Sequence, residues 1–79
     1  MTNTQTLLLQ KIAAASGFDA DLPVDVKEPA KAVGISSQNV MREVIALLQA
    51  GMCDQFMSDM TVVITQQGIL YCQSTCKED

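Results

Sequence analysis

The sequence contains three cysteines, residues that can bind a metal, form a disulfide or take part in redox chemistry. Cys72 and Cys76 lie four positions apart, so on a helix both thiols would occupy one face. A structural zinc site needs four sulfur or nitrogen ligands, and in a sequence without histidine only Cys53 remains to join them. An odd number of cysteines also argues against a disulfide framework. We therefore expect small, buried cysteines, with a metal or redox site as the alternative.

Catalytic chemistry finds little support in the sequence. Asp19, Asp21 and Asp25 lie close together, but they lack the glycine and the terminal glutamate of a calcium-binding loop, which favours solvated acids. There is no histidine, no nucleophile elbow, no glycine-rich phosphate loop and no carboxylate pair in a setting suited to acid–base work. We expect a protein that is not an enzyme and that uses no cofactor and no metal.

Charge is distributed unevenly along the chain. Five Lys and Arg against nine Asp and Glu give a formal net charge of −4, which disfavours general binding to polyanions. The segment 27–43, in contrast, carries three cations and two acids. These are Lys27, Lys31, Arg42, Glu28 and Glu43. The charges are therefore segregated, although weakly.

Length and composition indicate one globular domain. The 79 residues leave room for a single core, and a hydrophobic content of 48% is typical of a folded chain. Two Phe and one Tyr are too few for a surface on which the bases of single-stranded nucleic acid stack. Neither a signal-peptide pattern nor an apolar run of about 18 residues occurs, so we expect a cytoplasmic protein.

The first element that could position these groups is a helix. Leu8 and Ile12 recur at helical spacing, which predicts a helix over about residues 4–16 with Gly17 in the C-terminal cap position. The three consecutive leucines at 7–9 cannot all face one core. Either the apolar stripe of the helix is broad, or one leucine face packs on a second subunit.

The middle of the chain predicts a short strand followed by two helices. Residues 23–26 suit an extended segment, and "EPAKAV" suits about one and a half helical turns that Gly34 stops. Ser36 or Ser37 can cap the next helix, which Gly51 terminates. Its apolar stripe consists of Val40, Val44, Leu47 and Leu48. The residues expected to lie away from this stripe are Gln38, Asn39, Arg42 and Glu43.

The last third of the sequence predicts a β-hairpin and a final helix. Residues 52–56 and 61–64 suit strands joined by a loop at 57–60. Thr65 then caps a helix over about 66–76. The predicted order is α-β-α-α-β-β-α, an α+β fold with a three-helix core and a small antiparallel sheet.

This order resembles the winged helix-turn-helix superfamily, in particular small bacterial regulators of the MarR, ArsR and PadR type. The segment "AKAVGISSQNVMREVIALLQAGM" has the small residue of the second helix, the glycine turn, the serine cap and the closing Gly–apolar pair. The segment "VVITQQG" is similar to the strand that ends in Thr and leads into the last helix. The similarity covers about residues 5–75. It implies one winged-helix domain over 1–79, with a helix-turn-helix at about 28–51 and a wing at about 52–65.

The resemblance implies DNA recognition by the third helix, because that helix enters the major groove in DNA-binding members. Gln or Asn can pair with adenine, and Arg can pair with guanine or contact a phosphate. Lysines of the preceding helix would neutralise phosphates, and serines at the helix N-terminus would reinforce phosphate binding. The residues carried over are Lys27, Lys31, Ser36, Ser37, Gln38, Asn39 and Arg42. The alternative is that these residues form the solvated face of an amphipathic helix.

The predicted wing departs from the family pattern. DNA-binding wings carry Lys or Arg at the tip, whereas this tip reads "MSDM" and carries Asp59, which phosphates would repel. Met57 and Met60 either fold back onto the buried face of the hairpin or, with Asp59, contact a protein.

Two functions remain as expectations. The first is a DNA-binding transcriptional regulator that acts as a homodimer through its first and last helices, because an acidic monomer with few cations needs two-fold symmetry for useful affinity. The second is an acidic winged-helix module that binds a basic protein and makes no direct DNA contact.

Overall fold

The computed structural model describes residues 2–20, 22–55 and 60–76. Over these residues the chain forms four α-helices and a three-stranded antiparallel sheet. The elements are α1 (Asn3–Ala15), β1 (Pro23–Asp25), α2 (Lys27–Val33), α3 (Ser37–Gln49), β2 (Cys53–Gln55), β3 (Thr61–Ile64) and α4 (Gln66–Cys76). The α+β class and the element order agree with the prediction. The predicted first strand of the hairpin also included Phe56, which lies outside the described residues.

Helix α1 is capped at both ends by local hydrogen bonds. The Thr2 hydroxyl accepts a hydrogen bond from the Gln5 N–H at 3.2 Å, and the Gln5 side chain accepts one from the Thr2 N–H at 3.1 Å. This reciprocal pair is a capping box. The helix stops before Gly17, whose φ of 66° lies in the left-handed region that glycine adopts most readily. The predicted end of the first helix is therefore confirmed.

The sheet is centred on β3, which pairs with β1 on one side and with β2 on the other. Val24 lies opposite Val62, and Cys53 lies opposite Ile64. Val62 and Ile64 are buried while their neighbours in β3 are half-buried, so one face of the central strand packs into the core. The pairing of β1 with β3 ties the segment before α2 to the hairpin.

Helix α1 packs against the other three helices and against β3. Its buried leucines, Leu8 and Leu9, belong to the hydrophobic core that the described residues form, whereas Leu7 remains 48% exposed. The remaining core members are Ile12, Ala13, Val24, Val26, Ala30, Val40, Val44, Leu47, Cys53, Val62, Ile64, Ile69 and Cys72. The apolar stripe predicted for the third helix is confirmed, although Leu48 is only half-buried.

Two of the three cysteines, Cys53 and Cys72, are small core residues. Cys53 and Cys72 are buried in the common core, as expected from the sequence. Burial raises the pKa of the Cys53 thiol from its ordinary value of 9.0 to about 12, and the charge of the neighbouring Cys72 adds to the increase. The side chain of Cys76 lies outside the described part of the chain.

Within the described ranges, no helix is both long and apolar enough to cross a bilayer.

Candidate nucleic-acid interface

Helices α2 and α3 are joined by a tight turn that sets the position of every predicted DNA-binding residue. The Gly34 N–H donates to the Ala30 carbonyl oxygen at 3.0 Å, and the Ile35 N–H donates to the same oxygen at 2.9 Å. Gly34 has a φ of 89°, a left-handed conformation that is strained for residues with a side chain. Ile35 then packs against the core, as predicted, and α3 begins two residues later.

All of the residues predicted to contact DNA are exposed. They are Lys27, Lys31, Ser36, Ser37, Gln38, Asn39 and Arg42. Gln38 and Arg42 are four positions apart on α3, and Asn39 and Arg42 are three apart, so these side chains share one helix face. Their exposure also agrees with the alternative, a solvated face of an amphipathic helix.

Ser36 occupies the N-cap position of α3, but its hydroxyl does not cap the backbone. The hydroxyl instead accepts a hydrogen bond from the side-chain amide of Asn39 at 3.1 Å. The predicted N-cap position at Ser36 is therefore confirmed, but the hydrogen bond from a backbone N–H of α3 to the serine hydroxyl is not formed. The Asn39 amide retains one N–H donor and its carbonyl oxygen, which is the donor–acceptor pair that adenine requires.

A recess between α2, α3 and the start of β3 brings together three of the predicted residues. Its volume is about 500 Å³. Lys27, Lys31 and Ser37 are the polar residues that contribute to its lining, which is mostly apolar. Its apolar lining consists of Ala30, Ile35, Val40 and Met60. We call this recess the α2–α3 pocket; Arg42, Gln38 and Asn39 are not part of its lining.

The two lysines are exposed cations on one face of α2. Lys27 and Lys31 are separated by one helical turn, and both contribute to the lining of the pocket. Within the described part of the chain, neither ammonium group is engaged in an ion pair. Asp25 accepts a hydrogen bond from the backbone N–H of Lys27 at 2.9 Å, so this contact does not use the ammonium group.

Glu43, which was expected to lie away from the apolar stripe of α3, is not fully exposed. The residue is half-buried, and its Oε1 atom is buried without a hydrogen-bond partner among the described atoms. A buried acceptor without a partner destabilises a fold by about 1–3 kcal/mol. This carboxylate also lies next to Arg42 in the sequence and weakens the positive potential of α3.

Sequence reasoning missed two apolar residues on the same helix. Met41 is 38% exposed and Ile45 is 43% exposed, and they lie one turn apart on α3. A signal was present in the sequence, because both positions fall one residue beyond the stripe positions Val40 and Val44. The exposed surface of α3 is therefore partly apolar.

The candidate protein contact at the hairpin lies mostly outside the described residues, which include neither Met57 nor Asp59. Met60 is half-buried, packs against the core and lines the α2–α3 pocket. Its backbone carbonyl oxygen accepts a hydrogen bond from the Val26 N–H at 3.0 Å. Met60 thus connects the hairpin to the start of α2.

Among the residues that the structure describes, no cluster of three or more His, Cys, Asp or Glu is placed to hold a metal ion. Comparison of the chain with protein-family models, with curated proteins and with solved structures finds no match in any of the three.

Proposed function

We propose that this protein is a small winged-helix transcriptional regulator that binds duplex DNA through α3. The observation that carries the proposal is the arrangement of Gln38, Asn39 and Arg42 on one exposed face of α3, which the Gly34 turn joins to the helix that carries the exposed Lys27 and Lys31. The element order and the small antiparallel sheet are compatible with a winged helix. The proposed regulator acts in the cytoplasm, and binding DNA requires neither catalysis nor a cofactor.

In the proposed complex, the N-terminal half of α3 enters the major groove. Arg42 pairs with guanine or a phosphate, while Gln38 and Asn39 pair with adenine. Lys27 and Lys31 neutralise phosphates beside the groove. The hydroxyls of Ser36 and Ser37 add contacts to the phosphate backbone of the DNA. α3 and the lysines of α2 supply most of the contact, since the wing sequence offers no cation.

Self-association completes the proposal, because a chain with a net charge of −4 gains affinity by presenting two recognition helices. The pairing of α1 with α4 supports a dimer surface formed by these helices. The hydroxyls of Thr6 and Tyr71 lie 3.3 Å apart and link the two helices. Leu7 and Leu70, adjacent to this pair in sequence, are 48% and 56% exposed.

A titration of fluorescent duplexes tests the proposal. At about 50 mM salt we expect binding that weakens steeply towards about 200 mM, because each phosphate contact releases counterions. Arg42→Ala should reduce specific affinity by about 1–3 kcal/mol. Lys11→Ala, which removes an exposed cation from α1, is the matched control and should have a smaller effect. Duplex affinity that is unchanged by Arg42→Ala, or that is absent at low salt, would refute recognition by α3.

A second function is favoured by the exposed apolar pair on α3. Met41 and Ile45 give this helix a surface that suits protein contact better than contact with a phosphate backbone. The alternative is therefore a winged-helix interaction module that binds a basic protein and makes no direct DNA contact.

The double substitution Met41→Ser/Ile45→Ser separates the two functions. A DNA-binding chain retains most of its duplex affinity after this change, because Arg42, Gln38 and Asn39 remain. An interaction module shows no duplex binding at low salt, and its partner, identified by crosslinking to α3, is lost from the double variant.

A further inference from the structure

An exposed aromatic side chain lies just after α1. The Gly17 N–H donates to the Ala14 carbonyl oxygen at 3.1 Å, and the Phe18 N–H donates to the Ala13 carbonyl oxygen at 2.9 Å. This pair of hydrogen bonds is a Schellman motif, in which an apolar residue at the position of Phe18 commonly packs back onto the helix. Phe18 instead remains 43% exposed. Its ring is therefore available for contact with another molecule.

The backbone at Phe18 has a conformation that a bulky side chain rarely adopts. Its φ is 60°, in the left-handed region, directly after the left-handed Gly17. Strain of this kind persists where the surrounding structure fixes it, and it is found most often at functional positions. Asparagine or glycine would adopt the same φ more readily. A contact outside the chain accounts for a residue that is both strained and exposed.

The residues that follow add a second apolar side chain and an acid. The Leu22 N–H donates to the Asp19 carbonyl oxygen at 3.4 Å, so these two residues lie close together. Leu22 is 46% exposed, and Asp19 is exposed as well. We call Phe18, Asp19 and Leu22 the Phe18 loop. Its surface combines two apolar side chains with a negative charge.

The α2–α3 pocket has the complementary chemistry. Its volume of about 500 Å³ and its mostly apolar lining suit large apolar side chains. The apolar lining consists of Ala30, Ile35, Val40 and Met60. Lys27 and Lys31 also contribute to the lining, and both are exposed. Lysine commonly packs its aliphatic stem on apolar surface and keeps its ammonium group in water. The pocket therefore offers apolar surface beside positive charge.

We propose that the Phe18 loop of one chain docks in the α2–α3 pocket of a second copy of this protein. Phe18 and Leu22 cover the apolar lining, while Asp19 approaches the charged ends of Lys27 and Lys31. Burial of the two apolar side chains supplies most of the affinity, and the opposite charges orient the two copies.

The charge distribution of the chain favours a second copy as the occupant. The net charge is −4, yet the segment 27–43 carries three cations and two acids. Two copies therefore repel each other in most orientations, and they attract when the acidic loop of one faces the lysines of the other. Glu28, the acid next to Lys27, is not part of the pocket lining.

The proposed contact is heterologous, because the loop and the pocket are different surfaces. Each copy keeps one loop and one pocket available, so further copies add head to tail. The contact is separate from the proposed dimer surface of α1 and α4, since Leu7 and Leu70 belong neither to the Phe18 loop nor to the pocket lining. It does not depend on the proposed binding of DNA.

Two variants that lack opposite halves of the contact provide the test. Phe18→Asn removes the ring, suits the left-handed backbone and leaves the pocket intact. Lys27→Glu/Lys31→Glu reverses the charge beside the pocket and leaves the loop intact. All three substitutions are at exposed positions. Each variant alone has lost the contact, whereas a mixture should form it once, between the pocket of the first and the loop of the second.

Methyl NMR of isotope-labelled Phe18→Asn locates the contact. Unlabelled Lys27→Glu/Lys31→Glu should cause shifts of the pocket methyl groups that saturate below roughly 1 mM added chain. The pocket methyl groups are those of Ala30, Ile35, Val40 and Met60. Unlabelled Phe18→Asn, added instead, should bind the pocket at least tenfold more weakly. Self-association through α1 and α4 would shift Leu7 and Leu70 equally in both titrations, so the difference reports the Phe18 loop.

The matched control replaces another exposed apolar residue in the added chain. Lys27→Glu/Lys31→Glu that also carries Leu70→Asn should shift the pocket methyl groups as strongly as before, because Leu70 is 56% exposed and lies on α4. Thermal unfolding separates docking from a role in the chain's own stability. Phe18→Asn should unfold at or above the wild-type temperature, because asparagine relieves the backbone strain at an exposed position.

Three results would overturn the proposal. The first is the absence of saturable pocket shifts at about 1 mM added chain. The second is an equal effect of Phe18→Asn as the added chain, or loss of the shifts with Leu70→Asn, either of which would assign the pocket to another surface of the second copy. The third is a marked fall in the unfolding temperature of Phe18→Asn, because the ring would then stabilise its own chain. None of these measurements uses DNA, so their outcome is separate from that of the duplex titration.

Discussion

The hydroxyl of Thr65 donates a 2.7 Å hydrogen bond to the backbone carbonyl oxygen of Gly51. The same hydroxyl accepts a hydrogen bond from the Gly68 N–H at 3.0 Å, which caps the first turn of α4. One side chain thereby joins the turn after α3 to the start of α4. The sequence predicted the cap, and the structure adds the contact with Gly51.

Thr65→Val should destabilise the protein by about 1–3 kcal/mol, because it leaves the Gly51 carbonyl and the Gly68 N–H without their partner. Valine keeps the shape of threonine, so the loss reports the two hydrogen bonds. Thr65→Ser retains the hydroxyl and is the matched control. Chemical denaturation of the three proteins gives the comparison. Equal stability of the serine and valine variants would show that the hydroxyl contributes nothing.

Gly68→Ala should destabilise the protein by roughly 1–3 kcal/mol, although alanine is the better helix former. A Cβ atom at this position would clash with the backbone carbonyl oxygen of Met52 and lie 2.9 Å from Cγ1 of Ile64. Gln73→Ala, at an exposed position of the same helix, is the control and should change stability by no more than about 0.5 kcal/mol. A stabilised Gly68→Ala variant would mean that α4 lies further from Met52.

The stability of the protein should fall between pH 9 and 12, because burial raises the pKa of Cys53 from 9.0 to about 12. Above pH 9 the unfolded chain releases the thiol proton while the folded chain keeps it, so the free energy of unfolding decreases by up to roughly 1.4 kcal/mol per pH unit. Below pH 9 this contribution is fully present.

Cys53→Val isolates that contribution from the other groups that titrate at high pH. Urea denaturation at a series of pH values should give a shallower decline for the variant than for the wild type. Parallel curves would show that Cys53 ionises equally readily in both states.

Leu7→Glu/Leu70→Glu should convert a dimer into a monomer, because it places charges on the exposed apolar positions of α1 and α4. Sedimentation equilibrium measures the change in mass. Leu22→Glu is the control, since Leu22 is similarly exposed, at 46%, but precedes β1. A wild-type monomer at high concentration, or equal dissociation by the control, would refute the proposed dimer surface.

Local features of the sequence were sufficient to predict the element order. Helical spacing located α1 and α3, Gly17 and Gly34 marked helix ends, and Thr65 marked the start of α4. Each of these signals depends on residues within one or two helical turns, where spacing and backbone preference act directly. The proposed DNA-binding residues were also named from the sequence, and their role remains a prediction.

Tertiary structure decided the features that join distant parts of the chain. Three features depend on contacts between residues that are far apart in sequence. They are the pairing of β1 with β3, the close approach of the Met52 carbonyl oxygen to Gly68, and the pocket that Lys27 and Met60 both line. Local spacing contains no information on such distances. The sequence by itself therefore determined which segments become helices and strands, and only packing decided which of their faces remain open to a ligand or a partner.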